Sequence, residues 1–170
     1  MRRSTKQAVR TTLVHGLVAL AMATTAAAAG NPNLNVTVDV VREVSNVAAD
    51  GSAKVTLEPA AEARTGDVLV YTLRYENVGD GEARSAVLSD PIPTGTVLIR
   101  DSVVGSGTEI SFSVDGKAYG EWPRIQRRND DGELVWVDAP PSAVKHIRWK
   151  LAQNVPPGGS GSALFKVVVQ

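Results

Sequence analysis

Residues 66–83 have the sequence GDVLVYTLRYENVGDGEA, and this stretch decides the fold class. Its apolar side chains occupy every second position at Leu69, Tyr71, Leu73 and Tyr75, with the polar Thr72, Arg74 and Glu76 on the other face. A strand with one buried face repeats every two residues, whereas an amphipathic helix repeats every 3.6. The glycines that flank the alternation supply the backbone freedom that tight turns need. The stretch therefore predicts a half-buried strand between two turns.

The same period of two recurs along the chain, and turn-forming Gly, Asp, Asn and Pro residues separate the repeats. The strongest further strand candidates are Leu34–Val40, Ile110–Val114, Ile147–Leu151 and Phe165–Val169, and weaker ones are Lys54–Leu57, Ala83–Ser89, Thr96–Arg100 and Leu134–Val137. Many short strands with regular turns are typical of two packed antiparallel sheets. We expect an all-β, antiparallel β-sandwich.

The first 29 residues have the features of a cleavable secretory signal peptide. A basic start (Arg2, Arg3, Lys6 and Arg10) precedes a short apolar stretch and the small residues Ala26–Ala29. That order of charge, apolar segment and small residues is typical of signal peptides, and the apolar stretch is too short for a membrane span. We expect cleavage after Ala29, one domain over residues 30–170, no stable membrane insertion after cleavage, and a location in the periplasm, at the cell surface or outside the cell.

Charge and cysteine content exclude several classes of function. Of the 18 basic residues, four fall within residues 1–29, which leaves 14 against 18 acidic residues and a net charge of −4. A nucleic-acid binder would need a basic excess, so no nucleic-acid partner is expected. The chain has no cysteine, which removes disulfides, thiol chemistry and cysteine metal sites.

Three stretches resemble the conserved repeat domain of unknown function number eleven. They are Gly66–Ala83, Leu88–Thr96 with its Asp-Pro-Ile-Pro-Thr-Gly corner, and Ser113–Gly116, with further likeness at Trp149–Leu151 and Pro157–Gly159. The resemblance covers most of residues 34–170. It implies an immunoglobulin-like domain of bacterial and archaeal envelope and surface proteins, and it supplies no catalytic residue. The family is often found in tandem, whereas this chain holds one copy.

The motif residues also have structural roles that follow from their chemistry. The Asn77 side chain is expected to bond to the backbone of the turn after its strand. Asp90 precedes a proline, which favours an extended backbone, and its carboxylate is expected to accept amide donors from the Pro93–Gly95 corner.

The sequence offers little for catalysis. After removal of residues 1–29, His146 is the sole histidine, and the alternation places it opposite Ile147 and Trp149, on the solvent side. Carboxyl groups that act as catalytic acids or bases need a shifted pKa. The sequence places no acidic residue in an apolar setting that would raise its pKa. The prediction is that the chain is not an enzyme, with unrecognised carboxylates as the remaining route to catalysis.

No cofactor is expected, although two oxygen-rich loops are weak calcium candidates because Ca²⁺ binds carboxylate and carbonyl oxygens. They comprise Asn77, Asp80 and Glu82 in the first loop, and Asn129, Asp130 and Asp131 in the second. Neither has the spacing of an EF-hand, and solvated turns explain both.

Aromatic residues give the best candidate binding surface. Tyr119 and Trp122 lie in a segment with loop character, and Arg124 follows them in a basic run with Arg127 and Arg128. Exposed aromatic side chains bind proteins or sugars at low entropic cost, with arginine a frequent companion. Trp149 belongs to a clean alternation and is predicted to lie in the core, whereas Trp136 fits either core or surface.

The sequence thus favours a non-enzymatic structural or interaction module of the bacterial cell envelope that acts by protein–protein contacts. Its expected partners are envelope or surface proteins, a further copy of the chain among them. The terminal strand Leu164–Gln170 is expected to pair within its own sheet, and the alternative is that it completes the sheet edge of a neighbour. The alternative is a carbohydrate- or ligand-binding module that uses exposed loop aromatics.

Overall fold

A computed structural model describes residues 30–47 and 53–170, and within these ranges the chain is all-β. No α-helix occurs there, and two short 3-10 turns lie at Arg100–Ser102 and Pro141–Ala143. The strands are β1 (Leu34–Val47), β2 (Ala53–Pro59), β3 (Val68–Asn77), β4 (Val87–Pro91), β5 (Thr96–Leu98), β6 (Val104–Gly105), β7 (Thr108–Ser113), β8 (Arg124–Arg128), β9 (Leu134–Asp138), β10 (His146–Leu151) and β11 (Ser160–Val169). The all-β class and the antiparallel pairing predicted from the alternation are confirmed. The predicted signal peptide, residues 1–29, lies outside the described residues.

The larger sheet has the order β2-β1-β3-β11-β5, with β6 also beside β11, and every pair is antiparallel. β3, which carries the stretch that decides the fold class, lies at the centre. Tyr71 is opposite Val40 on one side and Phe165 on the other, so apolar residues of three strands share one face. Gly161 lies opposite Tyr75, and an added Cβ there would collide with the phenol ring.

The second sheet has the order β4-β10-β7, with β10 at its centre. Its inner side chains meet those of the larger sheet in one hydrophobic core. Trp149 of β10 and Phe165 of β11 are both fully buried, with ring centroids 6.1 Å apart, and Phe165 stacks on Tyr71 at 4.9 Å. The expectation that Trp149 lies in the core is confirmed.

Two ribbons extend from this two-sheet body. β8 and β9 pair with each other alone and form a separate two-stranded sheet, here called the β8–β9 hairpin. β1 pairs with β3 as far as Glu43, and its continuation (residues 44–47) pairs only with residues 53–56 of β2. Isolated two-stranded ribbons bury little apolar surface, so their exposed side chains are available for contacts with other molecules.

Candidate functional site

The β8–β9 hairpin exposes an aromatic and basic face. Arg124, Gln126 and Arg128 of β8 lie on the same face as Leu134 and Trp136 of β9 by the strand register. We call these five residues the hairpin face. Trp136 and Leu134 are each 57% exposed and lie two residues apart, so this face carries a pair of large apolar side chains in solvent. Arginine and tryptophan are the residue types most enriched at the energetic centres of protein interfaces.

The hairpin face is held by its own backbone contacts. The guanidinium of Arg124 donates to the carbonyl oxygen of Trp136 at 2.8 Å, and that of Arg128 donates to the carbonyl oxygen of Gly132. One of these bonds crosses to β9 and the other reaches the hairpin loop, and both restrict a long side chain before any partner arrives. Preorganised side chains lose less conformational entropy on binding.

Trp122 anchors the base of the hairpin to the body. Its indole Nε1 donates to the carbonyl oxygen of Ala139 at 2.9 Å, and its ring meets Phe112 edge-on with centroids 4.8 Å apart. The guanidinium of Arg100 lies over the same ring, 4.2 Å from its centroid, and forms a 3.0 Å ion pair with Asp138 at the end of β9. Trp122 is therefore half-buried, with contacts inside the chain on its ring and on its nitrogen.

Tyr119 lies elsewhere. The guanidinium of Arg148 is 3.5 Å from the centroid of its ring, and its hydroxyl is 3.5 Å from Oγ of Ser89. Arg148 and Ser89 belong to the outer face of the second sheet, whereas Trp122 packs against the core on the other side. The predicted patch of Tyr119, Trp122 and Arg124 is thus distributed over three environments, and only Arg124 belongs to the hairpin face.

The calcium candidates of the first loop have partners of other kinds. Asn77 is fully buried, and its amide bonds only to backbone: Oδ1 accepts from the N–H groups of Asn33 and Gly79, and Nδ2 donates to the carbonyl oxygens of Gly81 and Val155, all at 2.8–3.1 Å.

The carboxylates of that loop are also engaged. Asp80 accepts from the backbone N–H of Asn31 at 2.7 Å, and Glu82 pairs with Arg84 at 3.0 Å. Asn77 bonds to the backbone after β3, as predicted from the sequence. These bonds occupy its side-chain oxygen Oδ1, which is the atom that a calcium ion would need.

The second loop closes the β8–β9 hairpin. Oδ1 of Asn129 accepts from the backbone N–H of Glu133 at 2.8 Å, while Asp130 and Asp131 are exposed. Across the described part of the chain, no group of three or more histidine or acidic side chains is arranged to hold a metal ion.

Asp90 corrects the expectation that no acidic residue lies in an apolar setting. It is 7% exposed on the inner face of β4, its Oδ2 has no hydrogen-bond partner among the described residues, and burial raises its pKa to about 7. Burial, with a smaller effect of the Asp90 charge, also raises the pKa of Tyr71. At the Pro93–Gly95 corner, the N–H and hydroxyl of Thr96 both donate to the carbonyl oxygen of Pro93.

His146 is half-buried rather than freely solvated. β10 places it between Pro91 and Ser113 of the neighbouring strands, and Gly116 lies against its imidazole ring. A Cβ at Gly116 would come within 2.9 Å of Nε2, so the turn after β7 covers this side chain.

Comparison of the chain with protein-family models, curated proteins and solved structures found no match. Within the described ranges, no helix has the length and apolar character required to cross a membrane.

Proposed function

We propose that this chain is a non-enzymatic, exported interaction module of the bacterial cell envelope that acts through protein–protein contacts. In this proposal the two antiparallel sheets form an immunoglobulin-like sandwich, and residues 1–29 direct export and are removed. Two sheets that share one core, and motif residues such as Asn77 that are engaged in backbone bonds, support the likeness to the envelope repeat domain.

The exposed hairpin face carries the proposal. Its Trp136 offers a large apolar surface, and Arg124 and Arg128 lie beside it with restricted geometry. A partner that covered Trp136 would gain apolar burial, and its carboxylates or carbonyls could bond to the guanidinium groups. This combination of aromatic and arginine residues is what protein interfaces concentrate at their centres.

The test is in-cell cross-linking in the native host, followed by purification of the chain and analysis of the attached proteins. We expect specific cross-links for the wild type, a loss of at least tenfold for Trp136→Ala, and little change for the control Val104→Ala, which trims another exposed apolar side chain, 54% exposed on β6. The purified chain should have the mass of residues 30–170. Cross-links that persist equally in Trp136→Ala would contradict the role of the hairpin face.

Carbohydrate binding is the second candidate, and the same face supports it. A sugar ring could stack on the exposed indole of Trp136 while the amide of Gln126, directly opposite in the register, bonds to hydroxyl groups. Isolated envelope polysaccharide distinguishes the two: if it binds the purified chain and Trp136→Ala abolishes that binding, the ligand is a sugar and the proposal of a protein partner is wrong.

A further inference from the structure

The side chains of β2, whose free edge ends the larger sheet, complement those of an antiparallel copy of the same strand. β2 ends the larger sheet, so one side of its backbone has no strand beside it among the described residues. Val55 and Leu57 are 54% and 61% exposed on its outer face, and Lys54 and Glu58 lie on the opposite face. Thr56 is the midpoint of the seven-residue strand.

We infer that β2 pairs antiparallel with β2 of a second copy of this chain, about a two-fold axis at Thr56. This rests on the proposed role in protein–protein contact and adds a named partner at a surface separate from the hairpin face. In a two-fold antiparallel pair, residues equally distant from the axis face each other across the two strands. The axis at Thr56 therefore places Val55 opposite Leu57 of the partner subunit, and Lys54 opposite Glu58 of the partner subunit.

Each of these cross-strand pairs is favourable. The two Val–Leu pairs bring together four apolar side chains that are exposed in the single chain, and the two Lys–Glu pairs oppose unlike charges on the other face. Thr56 faces its own copy, and Thr–Thr pairs are also favourable across strands. A shift of the axis to Val55 or Leu57 would break both charge pairs and shorten the overlap.

The other edge strands of the two packed sheets are less suitable. β7 is bridged at Phe112 by Gly120, which occupies part of its free side. β4 ends in Pro91, which lacks the N–H that a neighbouring strand needs. β5 and β6 have three and two residues, too short to set a register. β2 is the longest of these edges, and an edge with exposed apolar residues readily recruits another strand.

Sedimentation velocity of purified residues 30–170 across a range of concentrations tests this inference. We expect a reversible dimer for the wild type. In Lys54→Glu the new carboxylate faces Glu58 of the partner subunit twice, so the dimer dissociation constant should rise at least tenfold. Lys117→Glu, which changes the net charge equally at an exposed turn residue, should leave it unchanged.

A mixing experiment gives a stricter test. Glu58→Lys alone should also weaken the dimer, because like charges meet twice. In an equimolar mixture of Lys54→Glu and Glu58→Lys, a mixed dimer has two opposite-charge pairs and should form at near wild-type concentration. Glu58 also pairs with Arg42 within the chain at 2.8 Å, so circular dichroism must first show that Glu58→Lys is folded. If it is not, Leu57→Lys replaces it as a second disrupting variant.

The inference is overturned if the wild type stays monomeric up to millimolar concentration, or if its dimer is insensitive to Lys54→Glu. Trp136→Ala separates this result from the proposed function. It should leave the β2 dimer intact, and a monomeric wild type whose cross-links still depend on Trp136 would refute only the β2 pairing.

Discussion

Trp149 and Trp136 each lie in a segment that the sequence predicts to be a strand, but their surroundings in the structure are very different. Trp149 lies in the clean alternation of β10 and is fully buried, whereas Trp136 lies among consecutive apolar residues of β9 and is 57% exposed. β10 has a strand on both sides and a second sheet across its inner face, whereas β9 pairs with β8 alone. Alternation identifies which residues share a face of a strand, but the neighbouring elements decide whether that face is covered.

The largest expected effect comes from removing these two indoles in turn. Trp149→Ala should lower the free energy of unfolding by about 3–5 kcal/mol, because it leaves a cavity between the sheets. Trp136→Ala should change it by less than about 0.5 kcal/mol, since the side chain is largely in solvent. Urea denaturation followed by far-ultraviolet circular dichroism measures both.

Trp149→Phe sharpens this comparison. The indole Nε1 of Trp149 is buried and has no hydrogen-bond partner among the described residues. Phenylalanine keeps most of the apolar volume and removes that unpaired donor, so this variant should lose clearly less stability than Trp149→Ala. Equal losses for the two substitutions would show that the ring does not fill the space between the sheets.

The strands of the two packed sheets were largely predictable from sequence, whereas only one of the two strands of the β8–β9 hairpin was. Strands with several apolar residues at period two, such as β3 and β10, were found where the pattern places them. β9 was predicted at Leu134–Val137, but its partner β8 has one apolar side chain, Ile125, among five residues. A strand that exposes both faces has no hydrophobic period, and the arginines of β8 indicate only a solvated segment.

The candidate site depends on contacts between distant residues, which a local pattern does not report. Trp122 belongs to a loop-like segment, but its partners are Phe112, Arg100 and Ala139. Asp90 lies in a turn-like sequence before proline, yet sheet pairing turns it inward beside Ile147, and burial follows from the sheet opposite. The sequence signal for the burial of Asp90 was its position two residues after Leu88, which places both side chains on the same face of the strand.

Asp90 should make stability depend on pH in the body of the protein. Its folded-state pKa of about 7 lies above the ordinary 3.8, so the folded chain retains a proton that the unfolded chain releases. Unfolding therefore releases a proton, and the free energy of unfolding should fall as pH rises from about 4 to about 7, by on the order of 2–4 kcal/mol.

Asp90→Asn should remove this dependence, because asparagine stays neutral. The variant should gain stability relative to the wild type between pH 4.5 and pH 8 in urea denaturation. Asp131→Asn in the exposed hairpin loop is the matched control and should follow the wild-type curve. If Asp90→Asn retains the wild-type dependence on pH, another group is responsible and the Asp90 carboxyl is accessible to water.

The smallest expected effect tests how the hairpin is attached to the body. Arg100→Ala removes both the cation–π contact with Trp122 and the ion pair with Asp138. Both are partly exposed, so global stability should fall by less than about 1 kcal/mol. Hydrogen exchange at the amides of β8 and β9 should nevertheless become faster, while exchange in β3 and β10 stays unchanged, because local opening can occur without global unfolding. Arg127→Ala, which removes another exposed arginine from the hairpin itself, is the control. Equal exchange rates in Arg100→Ala and the wild type would show that Trp122 and its bond to Ala139 hold the hairpin without help from Arg100.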